Sequence, residues 1–230
     1  MEAARAKAWA NPASAHAAGR AARAVLEAAR AQVAAAIGAQ PADLVFTAGG
    51  TEACNLAVAG VEAGEGPVLC AEIEHPATRE AVARRGVTRW LAVPAGRPPS
   101  VEAFERALDG ASLAVVQWVS HETGTVFPIA AYAEVARRAS VPLVVDATQL
   151  VGGAQERGRR AGSPDPAALA GFGAAAERVP ARLAAMADVA ARRDRLEAAL
   201  VDLGASVNGE GLRVATVTNV AVPGWNGSRL

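Results

Sequence analysis

The sequence predicts an α/β protein built around a mainly parallel sheet. Three observations carry this expectation: short apolar runs recur along the chain, helical patterns separate them, and each run ends in a cluster of polar residues. Continuous rather than alternating hydrophobicity argues for strands covered on both faces, as when helices flank a parallel sheet. With 230 residues, 52 % of them hydrophobic, the chain has enough apolar surface for a sizeable core.

The elements follow in order. In SAHAAGRAARAVLEAARAQVAAAIGA, from Ser14, the residues Ala22, Val25, Leu26, Ala29, Val33 and Ile37 recur at helical spacing, and Gly38 stops the helix. The runs LVF from Leu44, VLCA from Val68, RWLAV from Arg89, LAVVQWV from Leu113 and PLVVD from Pro142 read as strands. From Pro166 the pattern is helical almost to Leu203, broken near Pro180. The stretch LRVATVTNVAV, from Leu212, then reads as a strand that begins a second unit.

Composition excludes several functions. Lys plus Arg and Asp plus Glu are balanced at 23 each, so no basic field recruits nucleic acid or an anionic membrane. MEAARAKAWA lacks the apolar core of a signal peptide, and no run approaches the roughly 20 apolar residues that span a bilayer. A cytoplasmic location is expected. Cys54 and Cys70 lack metal-ligand spacing and read as reduced, buried thiols, and no metal site is expected. Lys7 is the only lysine, set against many arginines, and an arginine cannot replace a catalytic lysine.

The strand ends carry the chemistry. After LVF comes TAGGTEACN, where Gly49 and Gly50 allow close backbone approach and Thr51 opens a helix whose free N–H groups suit a phosphate. An isolated GGT suits an ordinary strand-to-helix turn as well. After VLCA comes EIEHPA, whose His75 is a turn residue, a cap or a ring for stacking. After LAVVQWV comes SHETG, with His121 and Glu122, and after PLVVD come Asp146 at the strand end and Gln149 one turn on. Asp146 reads as a helix cap or as the partner of a cation. Function in parallel sheets collects at the carboxyl ends of the strands. A phosphate cradle, a ring, a carboxylate and an amide together match the needs of pyridoxal phosphate.

The ordered motifs NPASAHAAGRAAR, FTAGGTEACNLAVAG, EIEHPA, HETGTVFPI, VVDATQLVG and QERGRRAGS resemble the cysteine desulfurase branch of the class V aminotransferase family, the NifS and IscS kind. The resemblance runs from Asn11 to about Phe172. It implies a PLP-dependent transferase fold of the aspartate aminotransferase-like kind: an incomplete PLP-binding large domain over 1–165, then a helical connection and truncated small C-terminal domain over 166–230. It further implies that Gly50 and Thr51 hold the phosphate of pyridoxal 5'-phosphate and that His75 stacks on its ring. Asp146 would pair with the pyridine nitrogen and Gln149 would bond the ring hydroxyl. His121 stands where the family has a substrate-orienting asparagine, and by the resemblance Arg160, beside Arg157 and Arg159, supplies anionic contacts at the site mouth, although an arginine cluster also suits a solvated or salt-bridged loop. Cys54 also replaces an asparagine.

The same resemblance marks what is absent. In the family the aspartate strand leads through further strands to a Ser-x-His-Lys motif, whose lysine anchors the cofactor, before the QERG loop. Here Gln149 passes through VGGA straight to Gln155. Lys7 lies outside any such motif. The opening strand and the loop bearing the persulfide cysteine are also not found, so the chain is expected to be incomplete and inactive on its own. The family reaction takes sulfur from L-cysteine, giving L-alanine and a persulfide for a sulfur-acceptor protein in iron–sulfur cluster assembly, in a homodimer. The alternatives are a non-catalytic pseudoenzyme or scaffold paired with a full-length relative, and another PLP-dependent carbon–sulfur or selenocysteine lyase.

Overall fold

A computed structural model describes residues 2–149 and 165–224. Its elements in chain order are α1 (Glu2–Lys7), α2 (Ala17–Ile37), α3 (Gly50–Gly60), β1 (Val68–Ala71), α4 (Pro76–Arg85), β2 (Thr88–Leu91), α5 (Val101–Ala107) and β3 (Leu113–Gln117). There follow α6 (Ile129–Arg138), β4 (Leu143–Asp146), α7 (Pro166–Ala176), α8 (Val179–Ala184), α9 (Met186–Asp202), β5 (Ser206–Val207) and β6 (Val220–Ala221). The chain divides into two compact units, Met1–Ala53 with Gly152–Ala185, and Cys54–Val151 with Met186–Leu230.

The first unit is helical. His16 caps α2 by accepting from the Gly19 N–H at 3.2 Å, and Gly38, at φ 68°, closes it by donating to the Ala34 carbonyl. Ala22, Leu26, Ala29 and Val33 are buried as the helical spacing requires, whereas Ile37, at the last position, is exposed. Helix α7 begins with Asp165 accepting from the N–H groups of Ala167 and Ala168, with Pro166 at its first position. It packs closely on α2: a Cβ at Gly173 would lie 3.0 Å from the Ala29 Cα.

One expected strand is not found here. Leu44 is extended, but Leu44–Phe46 pairs with no strand among the described residues. Its apolar side chains pack against α2 and α7, in a cluster with Leu26, Val33 and Phe172. Arg30 is fully buried beside it, donating to the Leu44 carbonyl at 2.9 Å with its guanidinium 4.7 Å from the centre of the Phe46 ring.

The second unit holds the parallel sheet, in the order β2-β1-β3-β4, every pair parallel. Both faces are covered, as the continuous apolar runs require. Along β3, Leu113 and Val115 join Val58 and Val82 on one side, while Ala114 and Val116 join Phe104 and Tyr132 on the other.

The expected strand LRVATVTNVAV is mostly irregular. Only Val220–Ala221 pairs, antiparallel with Ser206–Val207, while Arg213 bridges to Thr125 and the Val214 N–H bonds the Gly124 carbonyl. Its polar residues are drawn into an ion-pair cluster instead. Both Glu197 oxygens accept from Arg213 at 2.8 Å, and the Thr218 hydroxyl also donates to Glu197. The Arg213 bonds hold the Glu197 carboxyl well below its usual range, at about 2. Arg213→Ala leaves a largely buried carboxylate without its bidentate partner and is expected to cost about 3 kcal/mol of stability. Urea unfolding checks this, and because the folded pKa is lowered, the wild-type advantage is present above the usual glutamate range and fades as pH falls towards about 2.

Candidate functional site

Parallel pairing brings the carboxyl ends of β1, β3 and β4 to one edge of the sheet. The register sets Gln117, the last residue of β3, opposite Asp146, the last of β4. The chain leaving β1 turns within four residues into α4, and His75 caps that helix, its Nδ1 accepting from the Ala77 N–H at 3.1 Å. The cap fixes the ring, which is exposed, with its remaining proton on Nε2.

Asp146 is half-buried and held from two sides. Its Oδ1 accepts from the Thr148 N–H at 3.0 Å, and its Oδ2 lies 3.4 Å from the Thr78 hydroxyl and 3.5 Å from the Cys54 thiol. The Oδ2 contacts are long, so the carboxyl retains capacity for a stronger donor. Burial pushes the Cys54 thiol up to about 11 and the Cys70 thiol up to about 12, so both stay protonated and unreactive near neutral pH.

Between these strands lies a polar cluster that sequence reasoning missed. Glu74 is only 3 % exposed; its Oε1 accepts from the Gln117 N–H, and its Oε2 is buried with no hydrogen-bond partner. The Gln117 amide donates to the Ile73 carbonyl at 2.8 Å, and its Oε1 stands 3.4 Å from His121 Nδ1. The His121 and His75 rings meet edge to face, 5.3 Å between centroids. A lone amide inside LAVVQWV was the available signal for Gln117. Glu74, one of two acids in EIEH, gave none that separated it from exposed Glu72.

The structure therefore gathers His75, His121 and Asp146 at one edge, with Gln149 exposed just beyond β4. Gly50 and Thr51 open α3 in the first unit, where Glu52 in the first turn reaches back to the Ala48 N–H at 2.7 Å. Arg160, with Arg157 and Arg159, lies outside the described residues. Among the described residues no group of three or more His, Cys, Asp or Glu is arranged to hold a metal, and no helix is long and apolar enough to cross a membrane.

Burial is the main cause that raises the Glu74 carboxyl to about 8, and the Asp146 charge adds to it. A carboxyl raised in the fold stabilises it fully below the ordinary glutamate range, and that contribution is lost as pH rises through about 8. Unfolding free energy is expected to fall across this window, and Glu74→Gln, which cannot ionise, is expected to flatten the fall. Urea titrations at several pH values check it.

Comparison with known proteins gives the family. The family described as Aminotransferase class-V matches residues 3–157. An IscS-like cysteine desulfurase of Mycobacterium tuberculosis is 38 % identical over 157 residues, covering 62 % of this chain and 40 % of the relative. A cysteine desulfurase of Bradyrhizobium diazoefficiens is 33 % identical over 267 residues, covering 92 % of this chain and 68 % of the relative. That alignment is longer than the 230-residue chain, so the relative has residues opposite positions where this chain has none. A NifS-like protein of known structure superposes with a TM-score of 0.85 at 22 % identity, over 97 % of this chain and 77 % of that one, and so shares the fold. The motifs, the parallel sheet and these matches agree: the chain belongs to the class V aminotransferase family, in its cysteine desulfurase branch.

Proposed function

We propose that this chain receives pyridoxal 5'-phosphate at the carboxyl edge of its sheet without anchoring it covalently, and that it does not desulfurate L-cysteine on its own. The observation that carries the first half is the setting of Asp146, whose Oδ2 among the described residues is held only by the long contacts to Thr78 and Cys54. A pyridine N–H would supply the stronger donor. In this reading His75 lies against the ring, Gln149 bonds the ring hydroxyl, and Gly50 and Thr51 take the phosphate. His121 and Arg160 face the substrate. When bound, the cofactor supplies an electron sink for a substrate carbon.

The second half rests on lysine. Lys7, the only lysine, ends α1, far in sequence from Asp146. The alignment with the Bradyrhizobium diazoefficiens relative, at 267 residues, is longer than this chain, which agrees with a segment of the family being absent here. In this reading the chain lacks the lysine that in the family anchors the cofactor and moves protons at the substrate carbon. The domain reading goes with it: 1–165 as the PLP-binding large domain, and 166–230 as the helical connection and a small C-terminal domain segment.

A second reading is a non-catalytic scaffold that pairs with an intact relative. It is favoured by β4, which among the described residues pairs on one side only and whose four residues are all part-exposed, unlike the wholly buried β3. It differs in requiring a stable complex with that relative, in which a sulfur-acceptor protein and iron–sulfur cluster assembly would be served by the partner.

The absorbance spectrum of the chain after incubation with pyridoxal phosphate and removal of the excess tests the first reading. Cofactor is expected to be retained, to be released on denaturation after borohydride treatment, and to bind at least about tenfold more weakly in Asp146→Ala, as loss of a charge-assisted hydrogen bond of about 1.5–3 kcal/mol requires. Equal retention by Asp146→Ala, or cofactor fixed to the chain by borohydride, would contradict it.

A further inference from the structure

We infer that Glu74 is a specificity-determining partner of Asp146: the two carboxyls share one negative charge while the edge is empty, Glu74 holding the proton, and a cation that pairs with Asp146 releases that proton to solvent. The pairing is a property of the chain alone, and its ligand half rests on the reading of the edge as a cofactor site.

The sheet sets the two acids close together in unlike surroundings. Glu74 Oε1 accepts from the Gln117 backbone N–H, and Gln117 stands opposite Asp146 in the β3–β4 register. The next N–H, of Trp118, donates to the Asp146 carbonyl at 2.8 Å, so successive amides leaving β3 serve the two residues. Asp146 is half-buried and has the Thr148 N–H, the Thr78 hydroxyl and the Cys54 thiol to solvate its charge. Glu74 is 3 % exposed, and its Oε2 has no hydrogen-bond partner among the described residues. Like charges this close oppose one another, so the proton stays with the acid that has less to solvate it. That acid is Glu74.

The groups around Glu74 do not supply a compensating cation. The Cys70 thiol on β1 and the Cys54 thiol on α3 stay protonated near neutral pH, and His75, the next residue, is turned to the start of α4. Arg79 on α4 donates to the Glu72 carbonyl and lies over the Trp90 ring, 4.7 Å from its centre. His121 meets the Gln117 side chain. Burial is the larger cause that lifts the Glu74 carboxyl to about 8, and the Asp146 charge is a further one. A cation bonded to Asp146 cancels the second cause and leaves the first, so binding releases part of a proton. Linkage gives the reverse with the same size: the cation binds more tightly as pH rises through the Glu74 range. An anion placed there has the opposite effect, and the pair thereby selects for positive charge.

Carbon-13 spectra of the side-chain carboxyls, followed with pH, test the pair without any ligand, the Glu74 resonance being the one lost in Glu74→Gln. Its midpoint is expected near 8, and lower by about half a pH unit or more in Asp146→Asn, which removes the charge and keeps the shape. A midpoint in the ordinary glutamate range, or one that Asp146→Asn leaves in place or raises, would overturn the inference. Calorimetry with pyridoxal phosphate, in buffers of different ionisation heat, tests the ligand half with Asp146 intact. Near pH 8 the wild type is expected to release more protons on binding than Glu74→Gln. Its affinity relative to that variant is expected to rise about threefold across the Glu74 titration, which is half a pH unit read from the other side. Glutamine keeps the acceptor for the Gln117 N–H, so a purely structural Glu74 gives equal proton release and a flat ratio; either result contradicts the pairing. An Asp146-dependent midpoint in a chain that retains no pyridoxal phosphate refutes only the cofactor reading. Retained cofactor with no difference between wild type and Glu74→Gln refutes only the shared proton.

Discussion

The parallel pairing of β3 with β4 is the constraint from which the site follows. Register alone sets Gln117 beside Asp146, and the neighbouring pairing of β1 with β3 brings the chain before His75 to the same edge. Residues separated by 71 positions in sequence, from His75 to Asp146, are thus brought to one edge by backbone pairing. Their positions depend on burial of both sheet faces, which Leu113, Val115, Phe104 and Tyr132 provide. A slip of one residue would turn each of these side chains to the opposite face.

The polar groups at the edge divide into those that build it and those left to act. Glu74 belongs to the first kind: a buried carboxyl receiving a backbone N–H ties the turn after β1 to the end of β3. Its high pKa reflects what burial of a charge costs, since the neutral form is favoured where water is excluded. Asp146, His75 and His121 belong to the second kind. Each uses part of its hydrogen-bonding capacity to fix its own orientation and keeps part for something else. The proposed cofactor site rests on this division rather than on any one residue.

Much of this was legible in the sequence. VLCA, LAVVQ and LVVD read as strands because their continuous apolar character is what a two-sided burial demands, and the positions of His75, His121 and Asp146 followed from where those runs end. LVF has the same character but is three residues long, and packs beneath α2 because no partner strand is at hand among the described residues. LRVATVTNVAV reads like a strand, yet Arg213 and Thr218 are captured by Glu197 on α9, a partner that sequence spacing does not reveal. Glu74 and Gln117 were missed for the same reason: whether an acid or amide at a strand end is buried depends on the neighbouring strand, and their partners lie 43 positions apart.

A crystal structure of the chain grown with pyridoxal phosphate would decide whether the edge is a cofactor site. The account predicts the pyridine nitrogen within hydrogen-bond distance of an Asp146 oxygen, the ring beside His75, and no covalent bond from the cofactor to the protein. A cofactor bound elsewhere, one joined covalently to the chain, or an edge with the same geometry and no cofactor would contradict it.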